Sequence, residues 1–262
     1  MKQTEERKQA ILRKLREKNR VYVTDLSEQF GVSEVTIRKN LVDLEKRGEL
    51  KRTYGGATLA ENAAIEPVMS VLELTNIEAK RAIAARAFEV IEEGDAIALD
   101  ASSTLRELAR IIRRNPRSLT VITSSILLAH DLADCAHVDL IILGGHVRSS
   151  IGSVMGPMTM DMLKGIHVDK AFIGTNGIDL KFGFSTPNLF ECELKRTMIE
   201  CATQSFVLAD KSKINRSSLG QICPISRVDY LITDEGFPEE MVRAIEELGP
   251  QVLVAAPNAS AE

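Results

Sequence analysis

Hydroxyl and basic side chains are concentrated in one short stretch near the amino terminus. Ser33, Thr36, Arg38 and Lys39 fall within seven residues. Such groups donate hydrogen bonds to phosphate oxygens and reach base edges in the major groove of DNA. The chemistry that they offer is recognition of duplex DNA rather than bond making. The residues predicted to contact DNA, including a second basic group further along the chain, are Ser33, Val35, Thr36, Arg38, Lys39, Lys51, Arg52 and Tyr54.

The residues just before this cluster predict a short helix that ends in a tight turn. Leu26 and Phe30 lie four residues apart, which is the spacing of apolar positions on one helix face. Thr24 is expected to cap the start of this helix, and Gly31 is expected to end it in the left-handed conformation.

A second helix is predicted from Ser33 onward. Ser33 is a favourable N-cap, and Glu34 suits the helix dipole in the first turn. Ile37, Leu41 and Leu44 recur at helical spacing and form a stripe to be buried. The opposite face is left with the hydroxyl and basic groups. A helix that presents such groups from its amino-terminal half is the form that the major groove admits.

Residues 49–54 alternate in the manner of a short strand, after which Gly55 and Gly56 turn the chain. With the two helices, this pattern predicts a winged helix-turn-helix. Its wing would place Lys51, Arg52 and Tyr54 against the phosphate backbone or the minor groove. The alternative is a solvated charged helix and a hairpin without a ligand. Agreement of cap, turn, stripe and wing favours DNA binding.

The two parts of the chain differ in charge. Residues 1–57 contain fourteen Lys and Arg against nine Asp and Glu, whereas the other 205 residues contain nineteen against twenty-eight. The overall net charge of -4 therefore hides a basic amino-terminal part and an acidic body. Phosphates attract the first and repel the second, which argues against DNA binding through the larger part.

The pattern divides the chain into a winged helix-turn-helix domain at 1–57, a linker at 58–75 with room for a short helix, and a domain at 76–262. In the last domain, apolar runs rich in branched residues alternate with helical segments. The runs are 96–99, 119–122, 138–143, 171–173, 206–208, 230–232 and 252–254. The predicted fold class is α/β: a small N-terminal domain and a larger C-terminal domain with a mainly parallel sheet covered by helices.

Small polar residues follow four successive strands of this predicted sheet. In parallel sheets, ligands bind beyond the carboxyl ends of the strands, and hydroxyl groups at helix amino termini suit a phosphate or another anion. Helix capping explains each end taken alone, but four together favour a pocket for a polyol phosphate. The residues are Asp100, Ala101, Ser102, Ser103, Thr104, Thr123, Ser124, Ser125, Gly144, Gly145, Gly174, Thr175, Asn176 and Gly177.

Five charged residues are predicted to complete the pocket. Arg148 follows the glycine pair, Glu191 and Lys195 lie four apart on a predicted helix, and Lys211 and Lys213 follow the fifth strand. The alternative for Glu191 and Lys195 is a surface pair worth a few tenths of a kcal/mol. For Lys211 and Lys213 the alternative is a solvated loop.

Other features of the sequence exclude several classes of protein. The four cysteines and four histidines show no metal-ligand spacing, so no metal or cofactor is predicted beyond a small-molecule effector. No apolar run approaches the ~18 residues that cross a bilayer, and the charged amino terminus is unlike a signal peptide. The expected localisation is cytoplasmic, without a membrane partner.

Ordered motifs along nearly the whole chain resemble those of the DeoR family of bacterial transcription regulators. The amino-terminal matches are VSEVTIRKNL at 32–41 and LKRTYGGA at 50–57. The body resembles the family's sugar-phosphate sensor domain, which is similar in fold to ribose-5-phosphate isomerase. Its matches are GDAIALDASST at 94–104, VITSS at 121–125, ILGGHVR at 142–148, AFIGTNGID at 171–179 and LADKSKINRSS at 208–218.

The resemblance implies a sequence-specific repressor of a carbohydrate-metabolism operon. It would bind double-stranded operator DNA as a homo-oligomer, a dimer or a tetramer, under the control of a phosphorylated sugar held by the C-terminal effector-sensing and oligomerisation domain. Lys39 and Asn40 stand where the family usually has arginine and aspartate, and Ser102 and Ser124 also depart from its pattern. Because lysine lacks the bidentate guanine contact of arginine, the operator sequence is not transferable from a relative.

The main alternative is a sugar-phosphate isomerase that carries a DNA-binding head. Isomerisation through an enediol needs a carboxylate base and donors for the developing oxyanion. The resembling isomerases have an acidic loop after the corresponding strand, whereas residues 176–180 retain one carboxylate, Asp179. That loss favours sensing over catalysis, so no enzymatic activity is predicted.

Overall fold

The structure is a computed structural model that describes residues 2–18, 20–46, 49–59 and 68–256. The chain divides into two compact units, Met1–Pro67 and Val68–Glu262. The first unit is small and mixes helices with a short antiparallel sheet. The second is built on a parallel sheet, so the predicted α/β class is confirmed.

The first unit is a helix-turn-helix followed by a β-hairpin. Its elements are α1 (Lys2–Lys18), β1 (Arg20–Tyr22), α2 (Val23–Phe30), α3 (Glu34–Lys46), β2 (Leu50–Thr53) and β3 (Gly56–Leu59). The strands pair antiparallel in the order β1-β3-β2. The sequence analysis did not predict α1, although Ile11, Leu12 and Leu15 have helical spacing and are buried in the core of this unit.

The predicted turn between α2 and α3 is confirmed. Gly31 has φ +61°, and the Ser33 hydroxyl accepts a hydrogen bond from the Thr36 amide at 3.3 Å. The expected cap at Thr24 is wrong, because α2 begins at Val23 and Thr24 lies in its first turn. The start of the helix is set by β1, whose last residue, Tyr22, pairs with β3.

The hairpin turn consists of Tyr54 and Gly55 rather than of two glycines. Gly55 has φ +77°, whereas Gly56 is the first residue of β3. A Cβ atom at Gly56 would collide with the carbonyl oxygen of Val21 on β1. The first glycine is therefore required by the turn, and the second by the close approach of two strands.

The second unit contains a seven-stranded sheet, and every apolar run predicted as a strand forms part of it. Its strands pair parallel in the order β15-β14-β12-β9-β4-β5-β6. They are β4 (Ala96–Leu99), β5 (Leu119–Thr123), β6 (Val138–Ile142), β9 (Val168–Gly174), β12 (Ala202–Leu208), β14 (Tyr230–Asp234) and β15 (Gln251–Ala255).

Helices and two apolar clusters cover the two faces of this sheet. The helices are α4 (Met69–Leu74), α5 (Ile77–Glu89), α6 (Ser103–Arg114), α7 (Ile126–Leu132), α8 (Pro157–Lys164), α9 (Leu189–Glu200) and α10 (Glu239–Glu246). Along β4, Ile97 and Leu99 belong to the cluster with α5, α6 and α7, and Ala98 belongs to the cluster with α8, α9 and α10. Burial on both faces explains why a central strand such as β4 is continuously apolar.

Two small antiparallel sheets in the second unit were not predicted. One pairs β7 (His146–Arg148) with β8 (Ser153–Met155). The other has the order β10-β11-β13 and consists of β10 (Gly177–Asp179), β11 (Gly183–Thr186) and β13 (Gly220–Cys223). The first follows β6 and the second begins after β9, so both extend the chain beyond the carboxyl ends of the main sheet.

The boundaries of the two units differ from the expected linker at 58–75. At its start, β3 continues to Leu59 because Thr58 pairs with Lys51 and Arg20 on the neighbouring strands. At its end, α4 belongs to the second unit. Its Met69 is buried and donates its amide hydrogen to the carbonyl oxygen of Ser150 at 2.9 Å.

Candidate functional site

The exposed face of α3 carries the residues predicted to enter the major groove. Val35 is 60 % exposed, Arg38 and Lys39 are exposed, and Thr36 is half-buried. Arg38 forms an ion pair with Glu34 one turn earlier, with 2.6 Å between nitrogen and oxygen. That pair lies at the surface, so Arg38 can exchange Glu34 for a phosphate or a base at little energetic cost.

Asn40 does not belong to this exposed face. Its side chain is buried and donates to the carbonyl oxygen of Thr36 at 2.5 Å. The residue therefore stabilises the backbone of α3 from the core side. Its departure from the family pattern changes the support of the helix rather than its exposed surface.

The hairpin is connected to α3 through Arg52. The Arg52 side chain donates from Nε to Glu45 at 2.6 Å, and its backbone amide donates to the same carboxylate at 2.9 Å. These two bonds lower the pKa of Glu45. Lys51 and Tyr54 are exposed on the hairpin. The structure thus joins α3 and the wing in one unit, while DNA contact by their individual residues stays a prediction.

A buried ionic cluster lies at the carboxyl ends of β4 and β9. Lys195 of α9 forms an ion pair with Asp100 and donates to the Gly174 carbonyl oxygen at 3.0 Å. Asp100 also accepts the amide hydrogens of Gly174 and Ser102, each at 2.9 Å. Asp100 is 1 % exposed and Lys195 is 7 % exposed. Three predicted segments of the chain are therefore brought together.

A second ion pair joins α9 to the β7–β8 hairpin. Arg148 donates to Glu191 at 2.7 Å, and Glu191 is 3 % exposed. Thr186 donates to Asn176 at 2.9 Å and also lies 3.4 Å from Glu191. The alternative of a surface pair between Glu191 and Lys195 is wrong, because both are buried and each pairs with a distant residue.

At the carboxyl end of β5, two hydroxyl groups form hydrogen bonds within the protein and a third has no described partner. Thr123 donates to the Leu99 carbonyl oxygen at 2.8 Å, and the Ser125 hydroxyl accepts from Leu128 at the start of α7. The Ser124 hydroxyl is buried without a hydrogen-bond partner among the described residues. After β6, the Gly144 carbonyl oxygen accepts a hydrogen bond from Thr159.

The other predicted small residues lie in the same region. Ser102 caps α6 by accepting from the Leu105 amide, and Thr175 donates to the Gly177 carbonyl oxygen at 2.9 Å. A Cβ atom at Gly145 would collide with the Thr159 hydroxyl. The predicted residues buried at the start of α6, beside its cap, are Ala101, Ser103 and Thr104.

Lys211 and Lys213 differ in their surroundings. Lys211 is exposed, as the solvated-loop alternative proposed, and its amide donates to Asp234 at 2.8 Å. Lys213 is half-buried near Asp210. Burial alone would raise the pKa of Asp210, but Lys213 and the hydrogen bonds from Ser212 outweigh it and lower this pKa. The Asp210 carboxylate is therefore held in its charged form.

The sequence analysis did not predict two residues that interact with Asp210. Asn76 donates to it at 3.1 Å, and Lys80 lies close enough to interact with its charge. Lys80 is buried, and desolvation together with the nearby charge of Lys213 lowers its pKa to about 8. No local pattern in the sequence signals this contact, because 134 residues separate Asn76 from Asp210.

Three further observations bear on the predicted chemistry. Asp179, the carboxylate retained in the loop that resembles isomerases, accepts the amide hydrogens of Lys181 and Phe182 and so stabilises a turn. In the described ranges, no group of three His, Cys, Asp or Glu side chains has the geometry to hold a metal ion. Within the same ranges, no helix is both long and apolar enough to span a bilayer.

Comparison with known proteins gives two family matches and several relatives of similar length. Residues 7–63 match the DeoR-like helix-turn-helix domain, and residues 75–235 match the DeoR C terminal sensor domain. A relative from Escherichia coli O157:H7, named for repression of the aga operon, is 37 % identical over 96 % of this chain and 94 % of its own length. The transcriptional repressor GlcR of Bacillus subtilis is 34 % identical over 95 % of this chain and 96 % of its own length.

Among solved structures, ribose 5-phosphate isomerase from Plasmodium falciparum matches part of this chain. It has a TM-score of 0.39 and 18 % identity, and the match covers 54 % of each chain. The close relatives, in contrast, are named as regulators or repressors of transcription.

The two family matches assign separate roles to the two units. The helix-turn-helix unit binds DNA, and the sensor unit binds a small-molecule effector. The isomerase alternative is set aside, because the relatives that span almost the whole chain regulate transcription. The chain belongs to the DeoR family, and it is a transcriptional regulator rather than an enzyme.

Proposed function

We propose that this protein represses a carbohydrate-metabolism operon and that a phosphorylated sugar, bound at the carboxyl ends of β4, β5, β9 and β12, weakens its binding to operator DNA. The observation that carries the proposal is that Glu191 and Lys195 are both buried. Glu191 contacts Arg148 of β7, and Lys195 contacts Gly174 at the end of β9. Burying charged groups costs free energy. A site that binds a charged, hydroxylated ligand needs such groups to orient and recognise it.

The chemistry of the strand ends fits both parts of a sugar phosphate. Carboxylates such as Asp100 and Glu191 accept hydrogen bonds from sugar hydroxyls. Lys213, Arg148 and the amide groups at the start of α6 suit a phosphate. The Ser124 hydroxyl, buried without a described partner, is a further group that a polar ligand would satisfy.

The names of the relatives support the carbohydrate class. One is named for repression of the aga operon, and GlcR is named as a transcriptional repressor. We propose that this chain acts as a homo-oligomer, since paired heads on repeated half-sites raise specificity for an operator. Analytical ultracentrifugation of the full chain tests this part, and a monomer at micromolar concentration would contradict it.

The effector is tested by thermal shift with ribose 5-phosphate, fructose 6-phosphate and glucose 6-phosphate, against the unphosphorylated sugars and inorganic phosphate. A ligand that binds the native state stabilises it by about 2.7 kcal/mol at a concentration one hundred times its Kd. We expect at least one sugar phosphate to raise the melting temperature more than the unphosphorylated sugar or inorganic phosphate does. Arg148→Ala should reduce that shift.

The matched control is Arg113→Ala. Arg113 also forms an ion pair, with Asp134, but it lies in the last turn of α6, away from the helix start that carries predicted effector residues. The same ligand should also weaken binding to the DNA upstream of the protein's own gene. Linkage then requires that this DNA lower the ligand affinity by the same factor. If sugar phosphates neither stabilise the protein nor change DNA binding, the proposed effector class is wrong.

A further inference from the structure

The segment that begins the sensor unit is held in place by the loops that surround the candidate effector site. Residues 69–76 comprise α4 and the two residues that precede α5, and they follow the DNA-binding unit in the chain. Met69 donates its amide hydrogen to Ser150, two residues after Arg148. Asn76 donates its side-chain amide to Asp210, which directly precedes the Lys211–Lys213 turn.

Two more contacts fix this segment from the side of the helices. Glu73 of α4 forms an ion pair with Arg106 of α6, and Arg106 also pairs with Asp131. Lys80 of α5 donates its ammonium hydrogen to the Leu72 carbonyl oxygen in α4. The segment is thus attached at both ends and in the middle, to elements that carry predicted effector residues.

Asn76 has an unfavourable backbone conformation. Its φ of 53° and ψ of 40° are left-handed, which is uncommon for a residue other than glycine. Such conformations persist where surrounding contacts enforce them, and they recur at functional sites and switch regions. Here the side chain of Asn76 donates to Asp210, and the backbone carbonyl oxygen of Asn76 accepts the amide hydrogen of Lys80 at 3.1 Å.

The charges near Asp210 make this contact sensitive to an anion. Asp210 is buried, and Lys213 and Lys80 are the cations that stabilise its carboxylate. A phosphate beside Lys213 would share that cation and place a second negative charge near Asp210. The carboxylate would then be repelled or displaced, and it would lose its geometry as acceptor for Asn76.

We infer that residues 69–76 form the segment through which the effector site is coupled to DNA binding, and that the hydrogen bond from Asn76 to Asp210 is its switchable contact. The inference rests on the proposed function, because it requires an effector that changes operator affinity. It assigns Asn76 a positioning role, since its side chain reaches Asp210 rather than the ligand. A ligand shifts a conformational equilibrium only if the contacts differ between the two states. In this proposal, the bond from Asn76 to Asp210 is present without the effector and lost when it binds.

The test compares the unchanged protein with Asn76→Gly. Glycine keeps the left-handed backbone without strain and removes only the amide side chain. A second variant, Glu73→Ala, loosens the same segment through a different contact. Arg243→Ala is the control for the loss of an ion pair elsewhere, because Arg243 pairs with Glu239 on the exposed surface of α10. The probe is whichever sugar phosphate gives the largest thermal shift, with inorganic phosphate as reference.

Each protein is measured for probe affinity, for DNA affinity, and for the ratio of DNA affinities without and with saturating probe. In the unchanged protein and in Arg243→Ala, we expect that ratio to be about 5 to 150. In Asn76→Gly it should fall below about 3, while probe affinity stays within about threefold of the original. Glu73→Ala should fall between these values.

Hydrogen exchange gives an independent reading of the same segment. The probe should accelerate exchange at amides of residues 69–75 in the unchanged protein, and Asn76→Gly should show fast exchange there without the probe. An unchanged coupling ratio in Asn76→Gly overturns the inference but leaves the proposed function intact. A ratio of 1 in the unchanged protein overturns both.

Discussion

The residues predicted to bind ligands in the two units use charged side chains in opposite ways. In the DNA-binding unit, Arg38 and Lys39 are exposed, and the ion pair of Arg38 with Glu34 lies at the surface. In the sensor unit, Asp100 and Lys195 are buried and have several hydrogen-bond partners. The same residue types therefore serve two physical environments.

The difference follows from what each unit binds. DNA presents a large, regular array of phosphates, and exposed cations gain affinity there by releasing counterions. A small ligand is recognised by few groups, which must be held in position before it arrives. We expect substitutions of the exposed basic residues of α3 and the wing to change binding with little effect on folding, and substitutions of the buried charges at the strand ends to change both.

The largest effect is expected from Lys195→Met. Removing one member of a buried pair leaves Asp100 as an uncompensated charge, which costs about 3–5 kcal/mol of unfolding free energy. Urea unfolding followed by circular dichroism measures this loss. The control is Lys164→Met, because Lys164 forms an exposed ion pair with Asp161 and should be replaceable without measurable loss. Equal losses in the two variants would contradict the contrast between buried and exposed charges.

A pH-dependent stability is expected from Lys80. Its pKa is about 8 in the folded protein and near 10.5 when exposed, so between these values the unfolded chain binds more protons. The free energy of unfolding should therefore rise as the pH increases across this window. The same gain is lost as the pH falls back through about 8. Lys80→Met should flatten the rise by at most about 3 kcal/mol. Parallel profiles from urea unfolding at several pH values would show that Lys80 keeps an ordinary pKa.

Arg38→Ala should act on DNA binding alone. Loss of a base contact costs about 1–3 kcal/mol, or about 5- to 150-fold in affinity for the specific site. Thermal stability should be unchanged, because the pair of Arg38 with Glu34 is exposed. Arg13→Ala, on an exposed position of α1, is the control for loss of one positive charge in the same unit. If both variants lose the same affinity, Arg38 contributes only charge.

The smallest effect is expected from Lys51→Ala on the wing. A phosphate contact carries no sequence information, so affinity should fall by a similar small factor for specific and unrelated DNA. The slope of log K against log salt should decrease by about 0.9. Titrations by fluorescence anisotropy at several salt concentrations measure both. A selective loss for the specific site would instead place Lys51 at a base edge.

Local features of both units were predictable from the sequence because they depend on neighbouring residues. The turn at Gly31, the cap at Ser33 and the buried stripe with Ile37 each involve residues a few positions apart. The seven strands were recognisable because each contains a short apolar run. Helix α1 was missed because its charged residues obscured the apolar face formed by Ile11 and Leu15.

The order of the strands in the sheet was beyond prediction from one sequence. The central strand β9 lies between β4 and β12, although β5 and β6 separate it from β4 in the chain. The two small sheets were missed for a related reason. Their strands are short, and β13 joins β11 from more than thirty residues away.

The sequence by itself determined that a basic head precedes an acidic α/β body, and that small polar residues follow its strands, because composition and local spacing are properties of the chain alone. Only the tertiary structure decided how the charged residues pair. Glu191 and Lys195 are neighbours on a helix, yet they pair with Arg148 and Asp100, 43 and 95 residues away. The physical reason is burial: inside the protein each charge requires a partner, and the fold determines which partner is within reach.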